Sequence, residues 1–232
     1  MPVRLAVSRL HYAWTLLWCA VVSVALIGPG LVFYRLRPTS RRFWQWMRVW
    51  SRAVLGGTGF RVVSTGRAPA GPAVFVANHQ AMLDIPALFL GIGRPFVFVA
   101  RSELRRIPLV GTVLTATRCV YLDRGAAGPG LAEAARRVAE GDAVVFFPEG
   151  TRRYGAGVGR FHSGAFRLAI EAGVPVVPVA IDGSPDVLHE RAMTARPGAV
   201  TVRLGDPLHP LPDEAARAFA DRARAAVLRL LA

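Results

Sequence analysis

Residues 71–84 read GPAVFVANHQAMLD and decide how the chain folds. The compact apolar run at residues 73–77 follows a Gly-Pro pair, a pattern that is typical of a buried strand. Asn78 and His79 come directly after this strand, where the next helix is about to begin. Because ligands of α/β proteins bind at the carboxyl edge of the sheet, the sequence predicts a functional site at this point.

His79 and Asp84 form a candidate catalytic pair within this stretch. An imidazole can accept a proton near neutral pH, which suits a general base. With His79 in the loop and Asp84 in the first turn of the helix, the carboxylate can bond one ring nitrogen and leave the other for proton transfer. The alternative is a surface histidine beside a helix-start carboxylate, and the pair alone leaves both interpretations open.

The composition is that of one globular domain with an apolar appendage. The chain has 232 residues, and 53% of them are hydrophobic, which is high for a soluble domain and indicates contact with a membrane. The net charge is +14, and every basic residue apart from histidine is arginine. This charge suits partners that carry phosphate, whether nucleic acid, anionic lipid or a phosphorylated small molecule.

The chain has two cysteines, Cys19 and Cys119. They make no disulfide framework, and neither lies in a metal-ligand pattern. The sequence therefore predicts a reducing, cytosolic setting and no metal site.

Residues 12–34 contain no charged side chain over 23 positions, which is long enough to cross a bilayer. The Gly-Pro-Gly sequence at residues 28–30 is expected to interrupt this segment. The unbroken part, residues 12–27, would form a helix of about 24 Å, which is shorter than a hydrocarbon core of about 30 Å. The segment is therefore expected to enter one leaflet or to span with help. A cleaved signal peptide is the competing interpretation, but no convincing Ala-x-Ala cleavage site follows.

The pattern of residues 40–54 predicts an amphipathic helix. Tryptophans opposite arginines favour a helix that lies in the headgroup layer, and packing on the domain's own core is a compatible alternative. The apolar stripe consists of Phe43, Trp46, Met47, Trp50 and Val54.

Residues 1–57 are therefore predicted to form a two-helix membrane anchor, with lipid contacts through residues 12–54. Arginines are more numerous after the apolar segment than before it. Because cytoplasmic flanks carry the excess of positive charge, the domain that follows is expected at the cytoplasmic face of the cell membrane.

Residues 58–232 alternate between strand and helix patterns, which predicts an α/β domain with a mixed, mainly parallel sheet flanked by helices. Because proline lacks a ladder donor, Pro175 and Pro178 predict that their strand is an edge or bulged strand. The predicted strands are residues 60–65, 73–77, 96–100, 118–122, 143–147, 174–181 and 200–204. The predicted helices are residues 82–91, 109–115, 130–140, 163–172 and 212–231.

Polar residues follow three of these strands, at residues 78–79, 123–124 and 149–152. If the strand ends share one edge of the sheet, these clusters converge on one cleft. The basic link after the third strand adds Arg101 and Arg105 as weaker candidates for substrate positioning, with a solvated helix start as the alternative.

The side chains of this cleft indicate acid–base chemistry on a phosphorylated lipid. No serine or cysteine lies next to His79, so a covalent acyl-enzyme is not expected. A base without a nucleophile of its own is expected to activate a hydroxyl group of the substrate. Arginines indicate that a substrate carries phosphate, and the apolar N-terminal segment indicates a lipid substrate or product.

Four segments in this order resemble the motifs of the glycerolipid acyltransferases, with the 1-acyl-sn-glycerol-3-phosphate acyltransferases as the nearest branch. They are Asn78-His79 with Asp84, then VYLDR at residues 120–124, FPEGTR at 147–152 and VPVVPV at 174–179. The resemblance covers residues 78–181, and the N-terminal pair of helices is similar too.

The resemblance implies transfer of a fatty acyl chain from acyl-coenzyme A or acyl-carrier protein to the sn-2 hydroxyl of lysophosphatidic acid. The product would be phosphatidic acid, an intermediate of phospholipid synthesis. His79 is implied to be the general base and Asp84 to orient it. No cofactor is expected besides the acyl-donor substrate, and no nucleic acid partner is expected.

The other motif residues are implied to bind the acceptor. Arg124 would hold its phosphate, with Arg152 as a helper. Glu149, Gly150 and Thr151 would position the glycerol and the reacting centre. We further hypothesise that the Gly150 amide approaches the oxyanion, a stabilisation of about 3 kcal/mol in other acyl transfers.

Two departures from the family pattern leave the acceptor open. Ala81 stands where many relatives have serine, and Arg118 stands where the second motif often begins with glycine. An acyltransferase for glycerol-3-phosphate, another lysophospholipid or a glycolipid is therefore the alternative. A basic, membrane-attached nucleic-acid-binding protein is a remote one, because no helix-turn-helix or aromatic single-strand platform is recognisable. The acyl-chain length, the thioester carrier and the oligomeric state stay open.

Overall fold

The computed structural model describes residues 2–36, 40–107, 110–123 and 128–232. Its helices are α1 (Pro2–Leu36), α2 (Ser40–Gly56), α3 (Asp84–Gly91), α4 (Val110–Ala116), α5 (Gly128–Ala139), α6 (Gly164–Ala172), α7 (Ser184–Val187) and α8 (Ala216–Leu231), with a 3-10 helix at Ser102–Arg106. Its strands are β1 (Phe60–Thr65), β2 (Ala73–Ala77), β3 (Val97–Arg101), β4 (Val120–Leu122), β5 (Ala143–Phe146), β6 (Val176–Asp182), β7 (Leu188–His189), β8 (Thr194–Ala195) and β9 (Gly198–Leu204).

Within these residues, seven strands form one sheet in the order β1-β9-β6-β2-β5-β3-β4. The strands from β6 to β4 in that order run parallel to one another. β9 is antiparallel to β6, and β1 is parallel to β9. The predicted mixed, mainly parallel sheet is therefore confirmed.

Helices cover both faces of the sheet, which explains why its central strands read as unbroken apolar runs. Along β2, Phe75 points into the layer that contains α2 and α3, where it joins Met47 and Leu88. Val74 points into the opposite layer, where it joins Phe166 of α6. Because these strands run parallel, the carboxyl ends of β2, β5, β3, β4 and β6 lie at one edge of the sheet.

The first helix continues through the interruption that was predicted at residues 28–30. It contains 35 residues, and within the described ranges its Arg4–Ile27 part is the segment long and apolar enough to cross a membrane. At 1.5 Å per residue these 24 residues extend about 36 Å. The predicted break was wrong, because the helix runs on through Pro29, which removes only one main-chain donor.

The second helix packs on the domain and on α1. Phe43 and Met47 are buried in the same cluster as the sheet residues. Trp46 and Trp50 donate their indole N–H groups to oxygen atoms of α1 over 2.8 and 3.1 Å. The apolar stripe of α2 therefore packs against the protein itself, which was the second of the two predicted arrangements. The two-helix membrane anchor over residues 1–57 stays a prediction.

The strand β6 lies between β2 and β9, so the edge alternative of the expectation was wrong. The bulged alternative is observed, because between the Val179–Leu204 pair and the Val176–Leu208 bridge the three residues 205–207 face the two residues 177–178. Pro175 precedes β6, and its carbonyl accepts the Val74 N–H over 3.0 Å. Pro178 lies just before the ladder with β9, which begins with Val179 opposite Leu204. Because Pro178 lies outside the paired residues of that ladder, its missing N–H removes no hydrogen bond to β9, and proline is tolerated inside the sheet.

The remaining predicted elements are present, and the largest shift is at α8, which begins at Ala216 instead of residue 212. Three short elements between β6 and β9 were not predicted: α7 and the hairpin of β7 and β8. Two-residue strands are too short to carry a periodic pattern, so the sequence offered no signal for this hairpin.

Candidate active site

His79 lies in the loop between β2 and α3, and Asp84 is the first residue of α3. The His79 Nδ1 atom is 2.8 Å from Asp84 Oδ2. The Asp84 side chain is fully buried, whereas the His79 side chain is 14% exposed. Because the carboxylate engages Nδ1, Nε2 is the ring nitrogen left to accept a proton. The structure thus brings the two predicted catalytic side chains into contact.

The carboxylate of Asp84 also orders the loop that carries His79. Its Oδ2 atom accepts hydrogen bonds from the main-chain N–H groups of Gln80, over 2.6 Å, and Ala81, over 3.0 Å. Phe147, which follows β5, stacks on the imidazole with the ring centroids 4.0 Å apart. The imidazole is therefore held at its edge by Asp84 and at its face by Phe147, a contact that sequence reasoning missed.

Glu149 holds the main chain of His79 from the neighbouring strand. Its Oε1 accepts the His79 N–H over 2.9 Å, and its Oε2 accepts the Gly159 N–H over 2.6 Å. Its side chain is only 1% exposed, and Arg153 Nε lies 3.8 Å from Oε2. Sequence reasoning expected Glu149 to position the glycerol, but the structure directs both carboxylate oxygens to donors of the protein itself.

Burial raises the pKa of the Glu149 carboxyl group. The two backbone N–H donors, from His79 and Gly159, oppose this rise, as does the charge of Arg153 and, when the imidazole is protonated, that of His79. The carboxylate is therefore poorly solvated, and it depends on these protein contacts to stay ionised.

Gly150 lies at the same edge but does not offer a free amide. Its N–H donates to the Phe147 carbonyl over 3.0 Å, so the hypothesis of a Gly150 oxyanion donor does not fit this arrangement. Its carbonyl accepts a hydrogen bond from the Arg101 guanidinium. Its φ of +67° favours glycine, and a Cβ atom there would lie 3.5 Å from His162 Nε2. Arg101 and His162 therefore flank Gly150, and His162 was not among the predicted residues.

Arg152 is engaged by a carboxylate of the protein. Its Nη1 donates to Glu190 Oε2 over 2.6 Å, and Glu190 Oε1 accepts the Met82 N–H over 2.6 Å. Thr151, next to it, is exposed. Glu190 lies far along the chain and carried no recognisable motif, so the sequence could not reveal that it pairs with Arg152.

The two other predicted phosphate ligands differ in what the structure describes. Arg105 is exposed in the 3-10 helix, with its guanidinium 5.7 Å from the centroid of the Tyr121 ring. Arg124 lies outside the described residues. Asp123, the residue before it, is exposed at the end of β4 and so lies at the same edge of the sheet as His79.

Gln80 ties the loop after His79 to the glycine-rich loop, which we define as residues 153–161. Its Oε1 accepts the Gly155 N–H over 2.9 Å, and its Nε2 donates to the Gly157 carbonyl over 3.0 Å. The main chains join beside it, because Arg153 N–H donates to the His79 carbonyl over 2.8 Å. Sequence reasoning did not single out Gln80, because its partners lie more than seventy residues away.

Comparisons with known proteins agree with this site. A family model described as Acyltransferase matches residues 60–182, which contain His79, Asp84 and Glu149. A 1-acyl-sn-glycerol-3-phosphate acyltransferase from Chlamydomonas reinhardtii is 32% identical over 229 residues, which cover 94% of this chain and 67% of that relative. A lyso-ornithine lipid O-acyltransferase from Pseudomonas aeruginosa is 35% identical over 157 residues, which cover 64% of this chain and 58% of that relative.

A solved structure has the same fold. The crystal structure of the 1-acyl-sn-glycerophosphate acyltransferase PlsC from Thermotoga maritima is similar with a TM-score of 0.78 and 25% sequence identity. The similarity covers 96% of this chain and 95% of the PlsC chain. The family model spans more than half of the 232 residues, and the algal relative is 32% identical. This chain therefore belongs to the acyltransferase family.

Proposed function

We propose that this protein transfers a fatty acyl chain from a thioester donor to the sn-2 hydroxyl of 1-acyl-sn-glycerol-3-phosphate, giving phosphatidic acid. The contact between His79 Nδ1 and Asp84 Oδ2 at the end of β2 carries the proposal, because it prepares a base for a hydroxyl group. The algal relative and the Thermotoga structure, both named for this reaction, support the choice of acceptor.

In the proposed reaction, His79 Nε2 takes the proton of the acceptor hydroxyl. The hydroxyl oxygen forms a bond to the thioester carbonyl carbon, and the carbon–sulfur bond then breaks. The leaving thiolate takes the proton back from the imidazolium, so that the products are the ester and the free thiol. Asp84 stabilises the imidazolium while it exists. The donor thioester supplies the acyl group, so the reaction needs no further cofactor.

The acceptor phosphate is proposed to bind among the arginines at this edge of the sheet. Arg101 fits this role best among the described candidates, because it contacts Gly150 directly beside the His79 loop. Arg105, in the 3-10 helix after β3, and Arg124, which follows Asp123 in the sequence, are proposed to contribute as well. Arg152 would have to exchange Glu190 for the phosphate, so we assign it a secondary role.

The acyl chains are proposed to reach the site from a membrane held by residues 12–54, at its cytoplasmic face. The face of α1 that does not contact α2 is apolar and exposed, as expected for contact with lipid tails. Residues 58–232 would then form the catalytic domain. The exposed residues of α1 include Val7, Leu10, Trp14, Leu17, Val21 and Val24.

A second acceptor class follows from the Pseudomonas relative, which is named for acylation of a lyso-ornithine lipid. The pairing of Arg152 with Glu190 is compatible with an acceptor that lacks phosphate, because one candidate phosphate ligand is already neutralised. The two candidates share the same chemistry at the hydroxyl group and differ in the headgroup.

The test is thiol release from a long-chain acyl donor by detergent-purified protein. Acyl-coenzyme A and acyl-carrier protein are offered separately, each with lysophosphatidic acid, glycerol-3-phosphate, lyso-ornithine lipid or no acceptor. Release that requires lysophosphatidic acid and is lost in His79→Ala supports the proposal. Release that requires lyso-ornithine lipid instead selects the second candidate, and full activity of His79→Ala rejects the mechanism.

A further inference from the structure

The C-terminal helix contacts the glycine-rich loop through two arginines. Arg224 of α8 donates from Nε to the Gly159 carbonyl and from Nη2 to the Val158 carbonyl, each over 2.7 Å. Arg217, two turns earlier on the same face, donates to the Phe161 carbonyl over 2.6 Å. A planar guanidinium suits this task, because its N–H groups can reach two successive carbonyls at once.

The bonds of Arg224 lead to the active site through one peptide unit. The carbonyl of Val158 accepts from Arg224, and the N–H of the same peptide, on Gly159, donates to Glu149 Oε2 over 2.6 Å. The other oxygen of Glu149 accepts the His79 N–H. A peptide with a cation at its oxygen and a carboxylate at its nitrogen is polarised at both ends, and each bond strengthens the other.

The position of this peptide has little freedom. A Cβ atom on Gly159 would lie 2.9 Å from Glu149 Oε2 and 3.3 Å from Arg153 Nε, so the main chain approaches the carboxylate as closely as glycine permits. Gln80 holds the preceding part of the loop through Gly155 and Gly157. Arg224 therefore fixes the end of the loop that bears the donor to Glu149.

We propose that Arg224 is a positioning residue for acyl transfer, which acts through the Val158–Gly159 peptide on Glu149 and through Glu149 on the main chain of His79. The proposal rests on the proposed function. It extends the active site to α8, which lies beyond the 60–182 segment that the family model matches. Since Arg224 acts on the base and not on a substrate, its loss lowers kcat and leaves KM for the acceptor nearly unchanged.

The test compares Arg224→Met and Arg224→Lys with a matched control, Arg229→Met, an exposed arginine in the last turn of the same helix. We expect kcat to fall about ten- to hundredfold in Arg224→Met, since small misplacements of reacting groups have effects of this size. Arg224→Lys keeps the charge but lacks the two fixed N–H donors that reach the carbonyls of Val158 and Gly159, so it is expected to keep more activity than Arg224→Met. Arg229→Met keeps the kcat of the wild type.

A pH profile separates positioning from a general loss of structure. The Gly159 donor lowers the pKa of Glu149, and the other ionisable groups that act on this carboxylate are Arg153 and His79. Weakening that donor raises the pKa of Glu149 further. Because Glu149 holds His79 when it is ionised, the acid side of the pH profile of kcat moves to higher pH in Arg224→Met. Thermal unfolding of each variant accompanies these profiles, so that a drop in folded fraction is not read as a change in kcat.

Limited proteolysis tests the role of Arg224 without measuring catalysis, so its result does not depend on the proposed function. Trypsin can cleave after Arg153 and Arg160 in the glycine-rich loop, and we expect faster cleavage there in Arg224→Met than in Arg229→Met. Wild-type kcat in Arg224→Met, or an equal fall in Arg229→Met, overturns the inference. If the wild type transfers no acyl chain to any acceptor, the proposed function fails, and unchanged cleavage of the loop then overturns the inference as well.

Discussion

Asp84 Oδ2 lies 2.8 Å from His79 Nδ1 and accepts two main-chain N–H groups as well. The second carboxylate oxygen, Oδ1, is buried without a hydrogen-bond partner among the described residues. A buried acceptor without a partner costs about 1–3 kcal/mol. The negative charge of Asp84 is therefore incompletely compensated by hydrogen bonds, which favours a positive charge nearby. An imidazolium at His79 supplies that charge during proton transfer.

Replacing Asp84 by asparagine is expected to lower kcat by about 100- to 10,000-fold while the protein stays folded. The amide oxygen can still accept the three N–H groups, but the negative charge that stabilises the imidazolium is lost. The measurement is steady-state acyl transfer, with thermal unfolding alongside. Because the two residues act as one unit, Asp84→Asn added to His79→Ala should cause no further loss, and a multiplicative loss would contradict the pairing.

Glu149→Gln tests the contact between the two strand ends. A glutamine amide has one accepting oxygen, so its NH₂ group must face the N–H of either His79 or Gly159. We expect a loss of about 1–3 kcal/mol in the free energy of unfolding and a lower kcat, measured by urea unfolding and by thiol release. Glu171→Gln, at an exposed position of α6, is the control and should change neither quantity.

The difference in stability between the wild type and Glu149→Gln should change with pH in a defined direction. Because burial raises the pKa of Glu149, the folded protein binds this proton more readily than the unfolded chain does. The stability from this group is therefore complete below the ordinary glutamate range and is lost as pH rises through the raised pKa. The stability of the wild type relative to Glu149→Gln should shrink as pH rises through this interval, and a growing difference would contradict the stated direction of the shift.

Cys119 should resist alkylation while the protein is folded. Burial raises the pKa of its thiol to about 12, so almost no thiolate is present at pH 8. In a Cys19→Ser background, iodoacetamide should label the protein only after unfolding, as followed by intact mass. Rapid labelling of the native protein would mean that the layer around β4 opens readily.

The exposed face of α1 is expected to bind lipid. Leu17 and Val24 are 60% and 66% exposed, and aspartate at such positions opposes insertion by about 2.5–3.5 kcal/mol each. The double change Leu17→Asp and Val24→Asp should abolish sedimentation with phospholipid vesicles. Leu211→Asp, at a position that is 57% exposed beyond the sheet, is the control. Equal vesicle binding by both variants would count against α1 as the lipid contact.

The fold was largely predictable because its signals are local. The apolar run of β2 and its polar end lie in one short stretch, and the same pattern recurs at β5 and β6. The place of β6 in the sheet was not predictable from Pro178, because the effect of a missing donor depends on where the neighbouring strand ends. The continuity of α1 was not predictable from Pro29 either, because a proline removes one main-chain donor but does not always end a helix.

The sequence by itself determined the alternating α/β architecture, the acyltransferase motifs and the pairing of His79 with Asp84. Those two residues are five positions apart, so a loop and one helical turn are enough to join them. Only the tertiary structure decided that Glu149 faces His79, that Arg152 pairs with Glu190 and that Arg224 reaches the glycine-rich loop. The partners in each of these contacts lie 38 to 70 residues apart along the chain, and only the packing of strands and helices brings them within hydrogen-bonding distance.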